Sequence, residues 1–500
     1  MNIEYIIVQA GGKGSRLGYL TANKPKCLVP VSNKPMLFHL FDKFKEKKFI
    51  VIGDYKFDVL NEYLNVFSEV EYVTVNAKGK NGTCAGIKDA INLLPQESSF
   101  MLVWSDLILS DSFVVPEQTN DYVALSGDFK CRWKYEYGCF SEEASTTNGV
   151  AGLFLFKNKS VIEDVPKEGE FVRYLSNKNI NFSTLTLRET KEYGLLEEYK
   201  KLPVEKCRPF NRLEIVDGKL TKHGVNKKGE ELGIIESSWY KKAESLGYNS
   251  IPNIYSYSPL SMELINGRNI YEYKDYEYEV KRNILSKTVA TLKELHSKSE
   301  IAPDYFSVFE TYFKKTFNRI EGIRSLVPFA NDEFITINNK VCKNVFYHKH
   351  RVYDMVADYK IDKFTFIHGD CTFSNMMLKD DSDVVLIDPR GYFGKVKYYG
   401  DPCYDWAKLY YSLYGNYDRF NLKHFSLSIN SDSVEIDVES NGWETLEDEF
   451  WNLIGESHSK YNIKLLHALI WLSLTTYAWE DYDSICAAFY IGCYYLSDLL

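Results

Sequence analysis

The sequence has little with which to bind nucleic acid, cross a bilayer or form disulfides. Lys and Arg number 60 against 69 Asp and Glu, a net charge of −9. No basic excess exists to neutralise a phosphate backbone, so a nucleic-acid partner is not expected. No apolar run reaches the ~20 residues that a membrane helix needs. The nearest, 465–479, is interrupted by His467 and followed by Glu480-Asp481, and it is expected to form a buried helix. The opening Met1-Asn2-Ile3-Glu4-Tyr5 lacks the basic and apolar regions of a secretory leader, which points to the cytoplasm. The ten cysteines include no Cys-x-x-Cys pair and no zinc spacing, so reduced thiols, mostly in cores, are expected. Internal repeats and low-complexity tracts are also missing.

At 500 residues the chain exceeds one hydrophobic core. Through its first 200 residues, β-branched runs (3–9, 49–53, 72–75, 100–104) alternate with helical patterns (36–47, 57–67, 86–94). Such alternation predicts a mostly parallel sheet with helices on both faces. Runs 122–125 and 150–156 extend the sheet, and 171–178 and 195–201 read as closing helices. The charged, proline-containing stretch from Lys200 to Pro209 marks a domain boundary. A hairpin follows, 213–216 and 219–222 around Asp217-Gly218, then a helix near 230–245. Beyond Tyr271 a mainly helical region is expected, broken by β-rich 364–368 and 384–388. This gives domains 1–205 and 206–500, the second with a small lobe at about 206–270 and a helical large lobe at about 271–500.

Directly after the first strand stands Gly11-Gly12-Lys13-Gly14-Ser15-Arg16. Glycines at such a turn let backbone N–H groups approach phosphate oxygens, and Arg16 neutralises their charge. Lys24-Pro25-Lys26, Asn81-Gly82-Thr83-Cys84-Ala85-Gly86 and Trp104-Ser105-Asp106 accompany it. An aspartate ending a parallel strand is well placed to hold a metal ion. Residues 11–36 resemble the signature of sugar-1-phosphate nucleotidyltransferases and phosphocholine cytidylyltransferases. The resemblance implies an α/β Rossmann-like domain that joins a phosphate monoester to the α-phosphorus of a nucleoside triphosphate. It implies that Gly11, Gly12, Gly14, Ser15 and Arg16 hold the triphosphate, that Lys26 steadies the reacting phosphates, that Gly82 and Thr83 meet the base, and that Asp106 binds Mg²⁺. Glu192 of Glu192-Tyr193-Gly194 is the best match for a second metal carboxylate, with a surface helix cap as the rival reading. Thr83 as a helix cap, and Lys24, Lys26 and Lys34 as solvated surface, are the other open alternatives. The Glu-Lys-Pro segment of sugar-specific members is absent.

The second cluster is His368-Gly369-Asp370-Cys371-Thr372-Phe373-Ser374-Asn375, with Leu386-Ile387-Asp388 downstream. It resembles the catalytic and metal loops of aminoglycoside phosphotransferases and choline kinases, which implies an α+β protein-kinase-like domain. By that resemblance Asp370 orients the acceptor hydroxyl, and Asn375 and Asp388 hold Mg²⁺ against ATP. Lys222 is the candidate lysine for the ATP phosphates, rivalled by Lys227 and Lys228, and Glu236 is its candidate ion-pair partner. Residues 262–267, including Glu263, resemble the hinge that meets adenine. The Asp401 and Asp405 carboxylates are expected to brace the catalytic loop. Arg390 is expected either to bind an acidic or hydroxylated acceptor or to form an internal ion pair. A Gly-rich phosphate-covering loop is absent, and only one short hairpin precedes Lys222.

Together the two resemblances imply a bifunctional enzyme using Mg²⁺, ATP and a second nucleoside triphosphate, with CTP favoured. A small acceptor is phosphorylated and then activated for surface-glycan or lipid head-group synthesis. An amino alcohol such as choline is favoured, with Trp479-Glu480-Asp481-Tyr482-Asp483 as a cation cage or an exposed helix end. The alternatives are a sugar kinase coupled to NDP-sugar formation, and a nucleotide-binding regulatory protein with one inactive domain.

Overall fold

Ile6, Ile7 and Val8 are fully buried, as expected of a central parallel strand shielded on both faces. This strand, β1 (Tyr5–Gln9), pairs in parallel with β2 (Lys48–Gly53), which pairs in parallel with β3 (Tyr72–Asn76). On its other side lies β4 (Phe100–Trp104), also parallel, with Gln9 opposite Trp104. The computed structural model describes residues 3–117, 120–178, 180–202, 211–456 and 458–500. They form two compact units, Met1–Pro203 with Trp479–Asp483, and Val204–Ala478 with Ser484–Leu500. The boundary expected at 205/206, and Cys207, lie outside the described residues.

In the first unit, α1 (Met36–Lys43), α2 (Phe57–Phe67) and α3 (Ile87–Asn92) follow successive strands. Beyond β4 come β5 (Leu107–Ile108), β6 (Tyr122–Ser126), β7 (Lys134–Glu136), β8 (Cys139–Ser141) and β9 (Gly149–Phe156). They are followed by α4 (Phe171–Ser176), β10 (Ser183–Leu187) and β11 (Lys191–Glu192). The main sheet runs β8-β7-β9-β4-β1-β2-β3, and β6 joins it to β10. Phe100, Phe154, Phe156, Phe171 and Phe182 form one aromatic core cluster with α4. Because β1 and β4 are in register, the loops leaving their carboxyl ends meet at one sheet edge. Thr83 does not cap α3, contrary to one sequence reading: Gly86 occupies that cap, and the Thr83 hydroxyl accepts the Phe171 N–H at 2.8 Å.

The second unit opens with an antiparallel sheet ordered β12 (Asn211–Val216), β13 (Lys219–Gly224), β15 (Leu260–Glu263), β14 (Ile254–Tyr257), against which α5 (Lys227–Ser245) packs. The single hairpin expected before the large lobe is therefore half of a four-stranded sheet. Next come β16 (Gly267–Asn269) and α6 (Tyr278–Ser297). Beyond Tyr271 the chain is mainly helical, as expected, and it also carries hairpins outside the two β-rich segments. Hairpin β17 (Phe334–Ile337) and β18 (Lys340–Lys343) turns at Asn338-Asn339, both at positive φ (49° and 62°), the conformation of a type I′ turn.

The His368 to Asp388 segment of this unit lies between β19 (Phe364–Phe366), the hairpin β20 (Met376–Lys379) and β21 (Asp383–Leu386), and α7 (Pro402–Leu413). A further hairpin, β22 (Phe425–Ile429) and β23 (Val434–Val438), joins β17 and β18 in one sheet. The apolar stretch near 465–479 forms the buried helix α8 (Lys460–Leu474). No helix among the described residues is long and apolar enough to cross a membrane. Of the nine described cysteines, all free, only Cys139 is exposed.

Candidate functional site

In the first unit the Gly-rich loop, the Lys26 turn and Asp106 converge at the carboxyl ends of β1 and β4. Gln9 ends β1 and donates through Nε2 to the carbonyls of Thr83 (2.8 Å) and Ala85 (3.0 Å), tying the 82–85 segment beside the Gly-rich loop. Sequence reasoning passed over Gln9, although a polar residue closing an otherwise apolar strand is a visible signal. Gly14 has φ +69°, and a Cβ there would lie 2.9 Å from the Lys26 Cβ, so glycine is required for the close approach. Gly82, at φ +87°, is pressed against the Gly169 carbonyl in the same way. Gly12, Ser15 and Arg16 are exposed, and Gly11 is half-buried.

Lys26 Nζ pairs with Asp106 Oδ2 and stands 4.0 Å from Glu192 Oε1. Glu192 is not a surface helix cap. It sits on β11, which pairs with β5 so that Glu192 faces Leu107, the neighbour of Asp106. Burial first, then the Asp106 charge, raises the Glu192 carboxyl above its usual range. Two crowded carboxylates with one lysine form a hard-oxygen set suited to Mg²⁺, which typically takes one or two carboxylates and completes its shell with phosphate and water. Among the described residues no cluster of three or more His, Cys, Asp or Glu is arranged for a metal. Gly194 adjoins this set, and a Cβ there would overlap the Glu192 carboxylate and lie 3.2 Å from Lys26 Nζ.

Lys24 and Lys34 stand apart from this site. Lys34 pairs with Asp42. Lys24 is buried between Asp481 (3.0 Å) and Asp483. Burial alone would lower its pKa, yet the two carboxylates raise it above the ordinary lysine value. The Trp479 ring packs on Phe38 (5.7 Å) and Phe67 (6.2 Å). Segment Trp479–Asp483 is thus a packed element of the first unit whose two aspartates share Lys24, and among the described residues it forms neither the cation cage nor the exposed helix end expected of it.

In the second unit, Lys222 Nζ on β13 lies 2.7 Å from Glu236 Oε1 on α5 and pairs with Asp388 Oδ1. Burial opposes the lysine charge, but Asp388 and Glu236 together raise its pKa. Asp388 takes φ +56°, a conformation uncommon for aspartate. Asn375 Nδ2 donates to the Asp370 carbonyl and to Asp370 Oδ2, both at 2.9 Å. Lys408 Nζ stands 3.0 Å from Asp370 Oδ1. Glu263, expected near adenine, spends its carboxylate on Lys379 (2.6 Å) and Asn253 (2.8 Å).

The loop carrying Asp370 is braced from below. The buried Asp405 carboxylate accepts the N–H groups of His368 (2.9 Å) and Gly369 (2.7 Å) and faces His296 Nε2 at 3.1 Å. Burial would raise its pKa, but His296 and the amide hold it below the usual range. Asp401 does not touch the loop: it caps α7 through the Cys403 N–H and accepts the Tyr312 and Tyr359 hydroxyls. His368 donates Nε2–H to the Ile387 carbonyl (2.9 Å) and accepts the Asp370 N–H on Nδ1 (3.2 Å). Burial lowers its pKa, so it stays neutral in one tautomer. Lys408 was overlooked in the sequence, although it lies one turn beyond Asp405 on the same helix face.

Residues 5–128 match the nucleotidyl transferase family model. The chain is 31% identical over 123 residues to the bifunctional protein GlmU of Methanococcus maripaludis, covering 24% of this chain and 29% of that protein. It is 37% identical over 75 residues to the CTP:phosphoglutamine cytidylyltransferase of Campylobacter jejuni, covering 14% and 29% respectively. The D-glycero-alpha-D-manno-heptose 1-phosphate guanylyltransferase of the same organism is 29% identical over 216 residues, covering 40% of this chain and 89% of that protein. The CTP:phosphocholine cytidylyltransferase structure from Streptococcus pneumoniae aligns with 40% of this chain and 98% of its own, at 19% identity and a TM-score of 0.35. The chain spans less than half the length of the GlmU relatives it matches. The first unit thus carries a nucleotidyltransferase domain.

Proposed function

We propose that the chain is a bifunctional enzyme. Its second unit phosphorylates a small hydroxylated acceptor with ATP, and its first unit transfers a nucleotidyl group, CMP from CTP, to the resulting phosphate ester. The observation that carries the kinase half is the pair of linked contacts in the second unit: Lys222 joined to Glu236 and Asp388, and Asp370 held by Asn375. A paired lysine for the ATP phosphates and a carboxylate aimed at a hydroxyl are what phosphoryl transfer asks of a protein. The nucleotidyl half is supported by the family match and by Lys26 between Asp106 and Glu192.

In the kinase step the acceptor hydroxyl gives its proton to Asp370, its oxygen bonds to the γ-phosphorus, and the bond to ADP breaks. In the second step a phosphate oxygen of the ester bonds to the α-phosphorus of CTP and pyrophosphate leaves. Arg16 and Lys26 offset the charge gathering on the phosphates, while the backbone of the Gly-rich loop positions the triphosphate. Asp106 and Glu192 would hold Mg²⁺ in the first unit, and Asn375 and Asp388 in the second. Mg²⁺ supplies charge neutralisation between phosphate oxygens when bound. CTP is favoured by the cytidylyltransferase among the relatives.

A second reading, a sugar kinase feeding NDP-sugar formation, draws on the heptose 1-phosphate guanylyltransferase, 89% of which is matched. Both are tested by assaying ADP and pyrophosphate release separately over ATP, CTP, UTP and GTP against amino alcohols, polyols and sugars. ADP formed only with an acceptor, and pyrophosphate only with its phosphate ester, supports the proposal. Nucleotide binding without either product would favour a regulatory protein.

A further inference from the structure

Around Asp370 the second unit gathers more positive charge than the ATP-facing Lys222 explains. Lys408 stands 3.0 Å from Asp370 Oδ1. The Arg390 N–H donates to the His368 carbonyl at 2.9 Å, so Arg390 starts directly against the catalytic loop. Its guanidinium donates to Tyr404 Oη at 3.0 Å and lies 4.6 Å from the Tyr392 ring centroid. Arg319, on the helix Lys315–Gly322, donates to the Ser473 carbonyl, and Lys315 lies one turn before it on the same face. Among the described residues no carboxylate forms an ion pair with Lys315, Arg319 or Arg390.

Lys408 and Arg390 therefore stand at the Asp370 loop, with Lys315 and Arg319 within range of the Arg390 charge, in a largely buried place. Burial, then the charges of Arg390, Arg319 and Lys408, hold the Lys315 ammonium well below its ordinary pKa. Arg319 is depressed by burial and by Arg390. The buried Tyr411 hydroxyl, near enough for the Asp370 charge to act on it, has no hydrogen-bond partner among the described residues. Burial opposes the Arg390 charge, but Tyr404, Tyr392 and Asp370 raise its pKa, so the poorly compensated groups are Lys315 and Arg319, whose charge an arriving anion would stabilise.

We propose that the acceptor carries an anionic group of its own, a carboxylate or phosphate, received by Arg390, Arg319 and Lys315 while its hydroxyl faces Asp370. This rests on the kinase reading above and gives it a substrate class. A guanidinium grips either group through paired N–H donors. A quaternary ammonium acceptor would be repelled from the same place.

The test uses the full chain with Mg-ATP and four probes: glycerate, glycerol 3-phosphate, glycerol and choline. ADP release is expected with at least one anionic probe at about tenfold or greater kcat/KM over glycerol and choline. Arg390→Gln and Lys315→Met should each raise the KM of that probe about tenfold and leave the KM for ATP within about twofold. Equal or better use of glycerol or choline, or a raised KM for ATP in place of the acceptor, would overturn the proposal. Binding asks the same question without turnover. With a non-hydrolysable ATP analogue saturating, glycerate or inorganic phosphate should raise the Tm of the wild type and not of the double variant. Equal shifts, or none, overturn the anion site. A preserved, variant-sensitive shift with no ADP from any probe supports the anion site and sinks the kinase reading instead.

Discussion

Asn375 Nδ2 spans both the backbone carbonyl and the Oδ2 of Asp370 at 2.9 Å, so one amide fixes where that carboxylate points. Asn375→Ala frees the carboxylate to turn toward Lys408. ADP release should fall about 100-fold or more, the usual scale for losing a positioned acid–base group, while pyrophosphate release from a supplied phosphate ester is unchanged. Separate assays of the two products check this.

Lys222→Met strands Glu236 and Asp388 without their shared cation. Lys222 and Glu236 are nearly buried and Asp388 is 41% exposed at its side chain. The cost should therefore fall below that of a fully buried pair, about 1–3 kcal/mol by urea denaturation. ATP affinity should drop as well, read by titration with a non-hydrolysable analogue.

Gly194→Ala places a methyl group where the Glu192 carboxylate now lies. A flexible carboxylate can move aside, so the fold should survive with a Tm near wild type. Pyrophosphate release should fall about tenfold or more because a carboxylate beside Lys26 is displaced. Unchanged pyrophosphate release would remove Glu192 from the site.

Asp418 is buried, accepts the Ser374 N–H at 2.9 Å beside Asn375, and is pushed up to about 6 by burial. A folded-state pKa above the unfolded value means that the native state binds the proton more tightly. This stabilisation is complete below about pH 3.8 and is lost as pH rises through about 6. Asp418→Asn keeps the shape and removes the titration. Stability of the variant should gain on wild type between those limits, on the order of 3 kcal/mol in full, measured by denaturation at pH 4, 6 and 8.

The parallel sheet of the first unit was legible because β1, β2 and β4 are short, mostly apolar runs separated by helical periods, a local pattern that survives folding. The His368 to Asp388 cluster was legible as a spacing of chemically distinct residues. What the sequence hid depends on distant pairing: Glu192 reaches Asp106 only through the β5–β11 ladder, and Lys24 meets Asp481 across 457 positions. Other signals were local and passed over, among them the Asn338-Asn339 turn and the one-turn spacing of Asp405 and Lys408. Arg390 was legible as a candidate for the acceptor, but that Lys315, Arg319 and Lys408 gather near it was not, because they come from two other segments.

The division of labour between the units is tested most directly by assaying Asp106→Ala and Asp370→Ala for both products, with circular dichroism to confirm folding. The expected result is loss of pyrophosphate release alone in the first variant and of ADP release alone in the second. If each folded variant lost both products, or neither, two independent active centres on one chain would be contradicted.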